Sequence, residues 1–412
     1  MRYIRRELED EIEKWLNSRE IIAIRGPRQS GKTTLLKRIE EKLRENGVDE
    51  ENIHYISFED DLTRIKFEEN TKEFIEFYLG SQDKHYLLLD EIQYVNDIGR
   101  KLKYLFDFYE NIKIIVTGSS SFDLINLGSY LVGRVLFFEL YPFSFLEFLR
   151  SKDKKYEEIH RNIKTSLDDN GKIEATIFLD ELNSFLHEYL TYGSYPRVVL
   201  ERDFDKKKTL IRNLFITYVE KDIVAMHGIR YREKVVKLLK TIAVTSGDTI
   251  NYETLTMNSG LKYHDVREIL PLLEDSFVIS IVKPFHKNLI NELRKNPRIY
   301  FVDYGIKNYL LEDFDNPGFD RLYENFVYNE LTRQGYTVRY WRTTAKTEVD
   351  FIVETRDKLI PIEVKTKPRI TRSFRSFINH YHPSKAYILN LEDIDESKVN
   401  NCIIHMIPMV YL

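Results

Sequence analysis

The sequence predicts an α/β protein of several domains: a parallel sheet covered by helices, then a helical stretch, then a second α/β domain at the C-terminal end. Three observations predict it. Short β-branched runs alternate with amphipathic stretches over residues 1–150, the pattern of strands joined by crossover helices. A glycine-rich octapeptide lies between the first apolar run and a helical pattern. Two apolar runs near the C-terminus carry carboxylates that period-two geometry brings onto one face. With 412 residues, a chain at ~150 residues per domain holds two to three domains, each able to bury its own core.

Composition narrows the function classes. With 62 Lys+Arg against 66 Asp+Glu the net charge is −4, so any contact with nucleic acid or an anionic surface has to use a local patch. The single cysteine, Cys402, excludes an intramolecular disulfide framework and a cysteine-based zinc cluster, and fits a reducing compartment. At 42% hydrophobic and 31% charged the chain reads as soluble and globular. No stretch approaches the ~18 uncharged apolar residues of a membrane helix, and Met1–Glu7 lacks the apolar core of a signal peptide. The expected location is the cytoplasm, with no membrane partner.

In chain order, the strand candidates of the first domain (1–150) are Glu20–Arg25, Asn52–Phe58, Tyr86–Asp90, Lys113–Thr117 and Val135–Leu140. From Leu149 to Lys172 the chain turns charged and aperiodic, which reads as an exposed connection. Ala175–Tyr192 and Lys207–His227 have helical periodicity and suit a helical lid (173–230). Residues 231–303 read helix, helix, helix, strand, strand: Glu233–Ser246, Asn251–Asn258, Tyr263–Glu274, Phe277–Pro284 and Arg298–Val302. That order fits a winged helix. Its third helix mixes Lys262, His264 and Arg267 with Asp265, Glu268 and Glu274, so groove reading and a packing role both stay open. The last domain (317–412) begins with a helix, Leu322–Gln334, an extended run, Val338–Trp341, and two strands joined by Thr355-Arg356-Asp357-Lys358.

The octapeptide is Gly26-Pro27-Arg28-Gln29-Ser30-Gly31-Lys32-Thr33, a full GxxxxGK[ST] match continued by Thr34. It follows Ile21-Ile22-Ala23-Ile24 and opens a helix, Thr34–Asn46, which are the two contexts the motif needs. Glycines let backbone N–H groups wrap phosphates at a helix N-terminus. Lys32 reaches the β/γ oxygens and Thr33 ligates Mg²⁺. ATP with Mg²⁺ is the expected ligand. The strand His85–Asp90 ends in two carboxylates: Asp90 is placed to hold the Mg²⁺, and Glu91 to act as general base toward water. The other reading of Asp90-Glu91 is a helix cap or solvated turn. The next strand ends in Gly118-Ser119-Ser120-Ser121. Ser119 is the candidate γ-phosphate sensor, with a helix-capping serine turn as the alternative.

These features resemble the additional-strand class of P-loop ATPases, which includes the AAA+ enzymes and has sheet order 5-1-4-3-2. More narrowly, Gly26-Pro27-Arg28-Gln29, Gly118-Ser119-Ser120, Gly133-Arg134 followed by Glu139-Leu140-Tyr141-Pro142-Phe143-Ser144-Phe145-Leu146-Glu147-Phe148, and Tyr192-Gly193-Ser194-Tyr195-Pro196 resemble a prokaryotic and archaeal family of AAA-like ATPases. Its members carry a C-terminal domain of restriction-endonuclease-like fold. The resemblance implies a γ-phosphate-sensing role for Arg134, in cis or from a neighbouring copy; an ion pair at the sheet edge is the alternative.

The C-terminal carboxylates are Glu324, Asp350 and Glu363, with Lys365 two residues beyond the last. Period two sets Asp350 opposite Val349, Phe351 and Val353, and sets Glu363 with Lys365 opposite Ile362 and Val364. A turn centred between Arg356 and Asp357 makes paired numbers sum to 713, which puts Asp350 across from Glu363. Two carboxylates and a lysine on one face can hold Mg²⁺ and orient water for phosphodiester cleavage, with Glu324 as third acid. The pattern is similar to the PD-(D/E)XK nucleases. Lys365, Lys367, Arg369, Arg372 and Arg375, interleaved with Phe374 and Phe377, can follow a phosphate backbone; a solvated hairpin face is the alternative. The expected function is a Mg²⁺-dependent ATPase coupled to DNA, a second Mg²⁺ being bound at the C-terminal domain and a homo-oligomer being allowed. A nucleotide switch with a non-catalytic C-terminal domain and an ATP-assisted nuclease are the alternatives.

Overall fold

The computed structural model describes residues 3–80, 83–119, 130–164, 175–218, 232–285, 296–343, 347–355 and 358–412. The chain divides into two compact units, 1–142 with 275–277, and 143–274 with 278–412.

The first unit is built on β1 (Ile21–Arg25), β2 (Ile53–Ser57), β3 (His85–Asp90), β4 (Ile112–Gly118) and β5 (Val135–Glu139). Every pairing is parallel and the order is β2-β3-β4-β1-β5, the 5-1-4-3-2 order expected. Strand alternation sorts the side chains into two cores: Ile21, Ala23, Leu87, Leu89, Ile114 and Val116 face one way, and Ile22, Ile24, Tyr86, Leu88 and Ile115 the other. A sheet buried on both faces needs continuous apolar strands, and these strands supply them. The helix Lys32–Glu45 covers the second face with Leu35, Leu36, Ile39 and Leu43.

The sheet unit runs to Pro142. The stretch from Leu149 is not an open connection. Phe145–Lys152 and Lys154–Ile163 are helices, because Ser144 and Glu147 form a reciprocal capping box and Phe145 and Phe148 pack on Tyr189. Charged residues on the outer face hid that anchor. Residues 165–174 lie outside the described ones.

In the second unit the expected lid becomes Leu179–Tyr192, Pro196–Val199 and Phe204–Leu214; the expected end at His227 falls outside the described residues. Tyr195, Val198, Ile211 and Leu214 share one apolar core with residues of the next three helices, Arg232–Val244, Tyr252–Ser259 and Tyr263–Asp275. An antiparallel pair follows, β6 (Ile279–Val282) and β7 (Arg298–Phe301), with Thr249 bridged to Arg298.

The C-terminal part runs helix (Phe319–Arg333), β8 (Val338–Arg342), β9 (Glu348–Thr355), β10 (Lys358–Val364), helix (Arg372–Tyr381), β11 (Lys385–Asn390), β12 (Asp395–Val399) and β13 (Cys402–Pro408). The mixed sheet has order β12-β13-β11-β10-β9-β8. β8, β9 and β10 are antiparallel neighbours, while β10 pairs β11 in parallel. Every β9–β10 pair from Lys358↔Thr355 to Ile362↔Phe351 obeys the 713 register; the turn at 356–357 lies outside the described residues. No helix among the described residues is long and apolar enough to cross a membrane.

Candidate functional site

The phosphate loop leaves β1 and enters the helix Lys32–Glu45 at Gly31, whose φ is 100°. A Cβ on Gly26 would stand 2.2 Å from Leu140 O, so neither position accepts a larger residue without strain. Arg6 clamps the loop from behind, its Nη1 donating to Ser30 O (2.7 Å) and its Nη2 to Tyr141 O (2.6 Å). Arg28 donates to Tyr94 OH (2.9 Å). Lys32 is buried, and its ammonium donates to Gly26 O (3.0 Å) and Pro27 O (3.1 Å). Neither carbonyl neutralises it, and among the described residues it makes no ion pair. Burial pushes its pKa down, and Glu91 and Asp90 pull it back up. Ser30 Oγ is buried without a hydrogen-bond partner. A buried cation and an orphaned hydroxyl in one loop fit an anionic ligand. Thr33 is half-buried, while Thr34 and Gln29 are exposed.

Asp90 ends β3 with both carboxylate oxygens accepting: Oδ1 from Thr117 Oγ1 and Oδ2 from Tyr55 OH (2.8 Å). Glu91 follows with φ 57° and ψ 47°, a left-handed conformation that costs a non-glycine residue about 1–3 kcal/mol and is found at functional sites. Thr117 Oγ1 accepts the Glu91 N–H (3.2 Å), which ties the turn to β4. The Glu91 carboxylate accepts from Gln93 Nε2, and Gln93 Oε1 accepts the Ser119 N–H (3.2 Å). Ser119 is buried at the end of β4, between β3 and β1. Residues 120–129 lie outside the described ones. The sequence argument passed over Tyr55, Thr117, Gln93 and Arg6. Gln93 alone left a local trace, an amide two residues beyond a strand-end glutamate.

Arg134 is not at this site. Its carbonyl accepts Ile21 N–H (2.8 Å) at the start of β1, opposite the end that carries the loop. At ~3.3 Å per residue the length of β1 sets it roughly 15 Å away. Its guanidinium pairs with Asp107 (Nε–Oδ1 3.0 Å). The geometry removes the cis role, and the ion pair at the sheet edge is what is found.

The C-terminal cluster is assembled by β9, β10 and the helix Phe319–Arg333. Asp350 and Glu363 are buried, unlike charges on a solvated hairpin face. Asp350 Oδ2 accepts from Val364 N (2.9 Å) and Lys365 Nζ (3.1 Å). Burial lowers the Lys365 pKa, but Asp350 and Glu363 more than reverse this and leave it raised. Glu363 Oε1 accepts from Thr371 Oγ1 (2.8 Å), while Oε2 is buried without a partner. Burial pushes the Glu363 carboxyl up to about 7, and burial with the Asp350 charge pushes Glu324 up to about 8. Two residues from outside the expected set are present: Tyr300 donates to Glu324 Oε2 (3.4 Å), and Arg298 pairs with Glu348 (3.1 Å). Among the described residues no three His, Cys, Asp or Glu side chains are grouped to hold a metal. The expected second Mg²⁺ therefore has no ready ligand set in this arrangement. Lys367, Arg369, Arg372 and Arg375 are exposed, but Phe374 and Phe377 are core residues of the C-terminal sheet, so neither offers a stacking surface for bases.

Residues 18–149 match the family model of the AAA domain; residues 183–316 and 319–412 match two domains of unknown function, DUF8612 and DUF4143. The chain is 29% identical over 353 residues to an uncharacterized protein of Haemophilus influenzae, covering 84% of this chain and 82% of that one. It is 26% identical over 417 residues to an uncharacterized protein of Methanocaldococcus jannaschii, covering 97% and 86%. Domain III of the Thermotoga maritima replication initiation protein DnaA aligns over 52% of this chain and 94% of that one at 18% identity and a TM-score of 0.30, a likeness too distant to bear on function. The parallel sheet, the phosphate loop and the match over residues 18–149 together give the first unit the fold of an AAA-type P-loop ATPase.

Proposed function

We propose that the protein is a Mg²⁺-dependent ATPase that couples ATP binding and hydrolysis to DNA binding or processing. The observation that carries the ATPase reading is the buried Lys32 ammonium, held among the described residues by loop carbonyls alone and acted on by Glu91 and Asp90. The loop N–H groups and Lys32 bind the phosphates. Thr33 and Asp90 are the residues to hold Mg²⁺, which when bound would draw charge from the phosphate oxygens. Glu91 accepts the proton of the attacking water, and Ser119 hydrogen-bonds the γ-phosphate. Arg134 contributes only from a neighbouring copy of the chain.

The DNA half rests on three supports. The order helix, bridge, helix, helix, antiparallel strand pair from Arg232 to Phe301 agrees with a winged helix. The order helix, three antiparallel strands, helix, parallel strand from Phe319 to Asn390 agrees with a restriction-endonuclease-like domain. The exposed Lys367, Arg369, Arg372 and Arg375 supply phosphate contacts. One observation favours the reading in which this domain binds without cutting: Asp350 is engaged by Lys365 and no metal-holding group stands ready among the described residues. The test is the steady-state ATP hydrolysis rate with Mg²⁺ in the presence of single-stranded, duplex or branched DNA, with Glu91→Gln as blank. Stimulation by one form supports the coupling. A rate indifferent to all three leaves the ATPase and removes the coupling.

A further inference from the structure

β10 and β11 are parallel neighbours, so the segments leaving their carboxyl ends emerge side by side, where open α/β sheets form ligand crevices. Here they border a cleft of about 920 Å³. The segment after β10 supplies Lys367, and the helix Arg372–Tyr381 supplies Arg375; the turn after β11 supplies Glu392 and Asp393, and Asp395 opens β12. Ile370, Leu391, Ile394 and Met406 form the apolar lining. Among the described residues none of the five charged side chains makes an ion pair, although both signs line one cleft. The acidic turn is held from within by Asn390, which is fully buried: its Oδ1 accepts the Glu392 N–H (2.8 Å) and the Asp393 N–H (2.7 Å), and its Nδ2 donates to Asp393 O (2.9 Å). Asn183 Nδ2 donates to Leu391 O (2.9 Å). The carboxylates of Glu392 and Asp393 take no part in these bonds and are exposed. A second hollow, lined by Arg372, Arg375, Ser376, Asn379 and His380, shares Arg375 with the cleft and has no acid among its described residues.

We propose that this cleft takes one unpaired nucleotide of a single strand: Lys367 and Arg375 hold its phosphate, and the Glu392 and Asp393 carboxylates accept from the amino group of its base. The inference rests on the reading of the basic run as a DNA contact, and narrows that contact to single-stranded or locally opened DNA. Cations take phosphate oxygens whatever the sequence. Carboxylates repel phosphate, and what they attract is a hydrogen-bond donor. The amino groups of cytosine, adenine and guanine are such donors, whereas thymine carries carbonyl oxygens and no amino group. Pairing occupies those edges in a duplex; an unpaired base presents them and lays its face on apolar side chains. The acid-free hollow beside the cleft favours a ligand that is anionic along its length over a polypeptide of mixed charge.

The test is fluorescence anisotropy of the full-length, nucleotide-free chain with labelled oligo-dC, oligo-dT and duplex DNA of equal length. The expected result is a parent that binds oligo-dC about ten-fold more tightly than oligo-dT, with the duplex weaker than oligo-dC. Glu392→Ala combined with Asp393→Ala removes the difference between the two oligonucleotides. Lys367→Ala combined with Arg375→Ala weakens both alike and keeps their ratio. A parent that does not distinguish oligo-dC from oligo-dT, or an acid variant that changes both affinities by the same factor, overturns the base-reading role and leaves the DNA contact standing. A parent that binds none of the three overturns the DNA contact and the inference with it, and assigns the mixed-charge cleft to a polypeptide.

Discussion

Lys32 shows how a single buried charge can announce a missing partner. Its ammonium has lost water and gained two carbonyls, so a phosphate offers it the anion it lacks. With charged hydrogen bonds worth about 1.5–3 kcal/mol, Lys32→Ala lowers ATP affinity by ten-fold or more in equilibrium binding, with the circular dichroism unchanged. Gln93 is a positioning residue, joining Glu91 to the Ser119 backbone. Gln93→Ala is expected to lower kcat by about ten-fold at an unchanged ATP Kd, and a matching loss in both would assign it to binding instead. His160 reports on the second unit. It is buried beside Phe145 (5.7 Å) and burial pushes its pKa down to about 3. The unfolded chain takes up a proton near the ordinary histidine value, before the folded one does. Stability from this group is therefore present at neutral pH and drains away as pH falls from about 6.5 to about 3, by up to about 1.4 kcal/mol per unit. Calorimetric melts between pH 7 and 4 should show this slope, and His160→Phe should flatten it.

At the scale of elements, the helix Phe145–Lys152 depends on two devices, a reciprocal cap at Ser144 and Glu147 and an aromatic anchor at Phe148. Ser144→Ala is expected to cost about 1 kcal/mol and Phe148→Ala about 3–5 kcal/mol in denaturant unfolding of the second unit. Equal effects would mean that packing does not dominate there. The β5 edge carries Arg134 at the end away from the phosphate loop, paired with Asp107. Arg134→Ala should leave ATP binding untouched, and any loss of kcat should grow with protein concentration, since only a second copy can present the arginine to the loop; a loss that is the same at every concentration rules out the trans role. The β9–β10 register was readable because one turn position fixes every later pair, whereas the helix Lys154–Ile163 was not, because its anchoring contacts, Tyr156 on Phe185 and His160 on Phe145, are isolated among charged residues.

For the whole molecule, the proposed coupling of the ATPase to DNA makes an electrostatic prediction. If Arg369, Arg372 and Arg375 neutralise phosphates, their joint replacement by alanine reduces the slope of log affinity against log salt by about 0.9 for each phosphate left unneutralised, measured by fluorescence anisotropy with duplex DNA. An unchanged slope would move the DNA-binding surface elsewhere. The sequence by itself determined the parallel strands, the phosphate loop, the Asp90-Glu91 pair and the register that brings Asp350 toward Glu363, because strand period, motif spacing and turn position are properties of neighbouring residues. Only the tertiary structure decided that the helices from Leu179 to Leu214 join the core of the next three, that Arg134 lies at the far end of its sheet, and that Tyr300 reaches Glu324 while Arg298 pairs with Glu348. Those outcomes turn on which apolar faces find each other across long stretches of chain, and burial is settled by the whole fold rather than by any one segment.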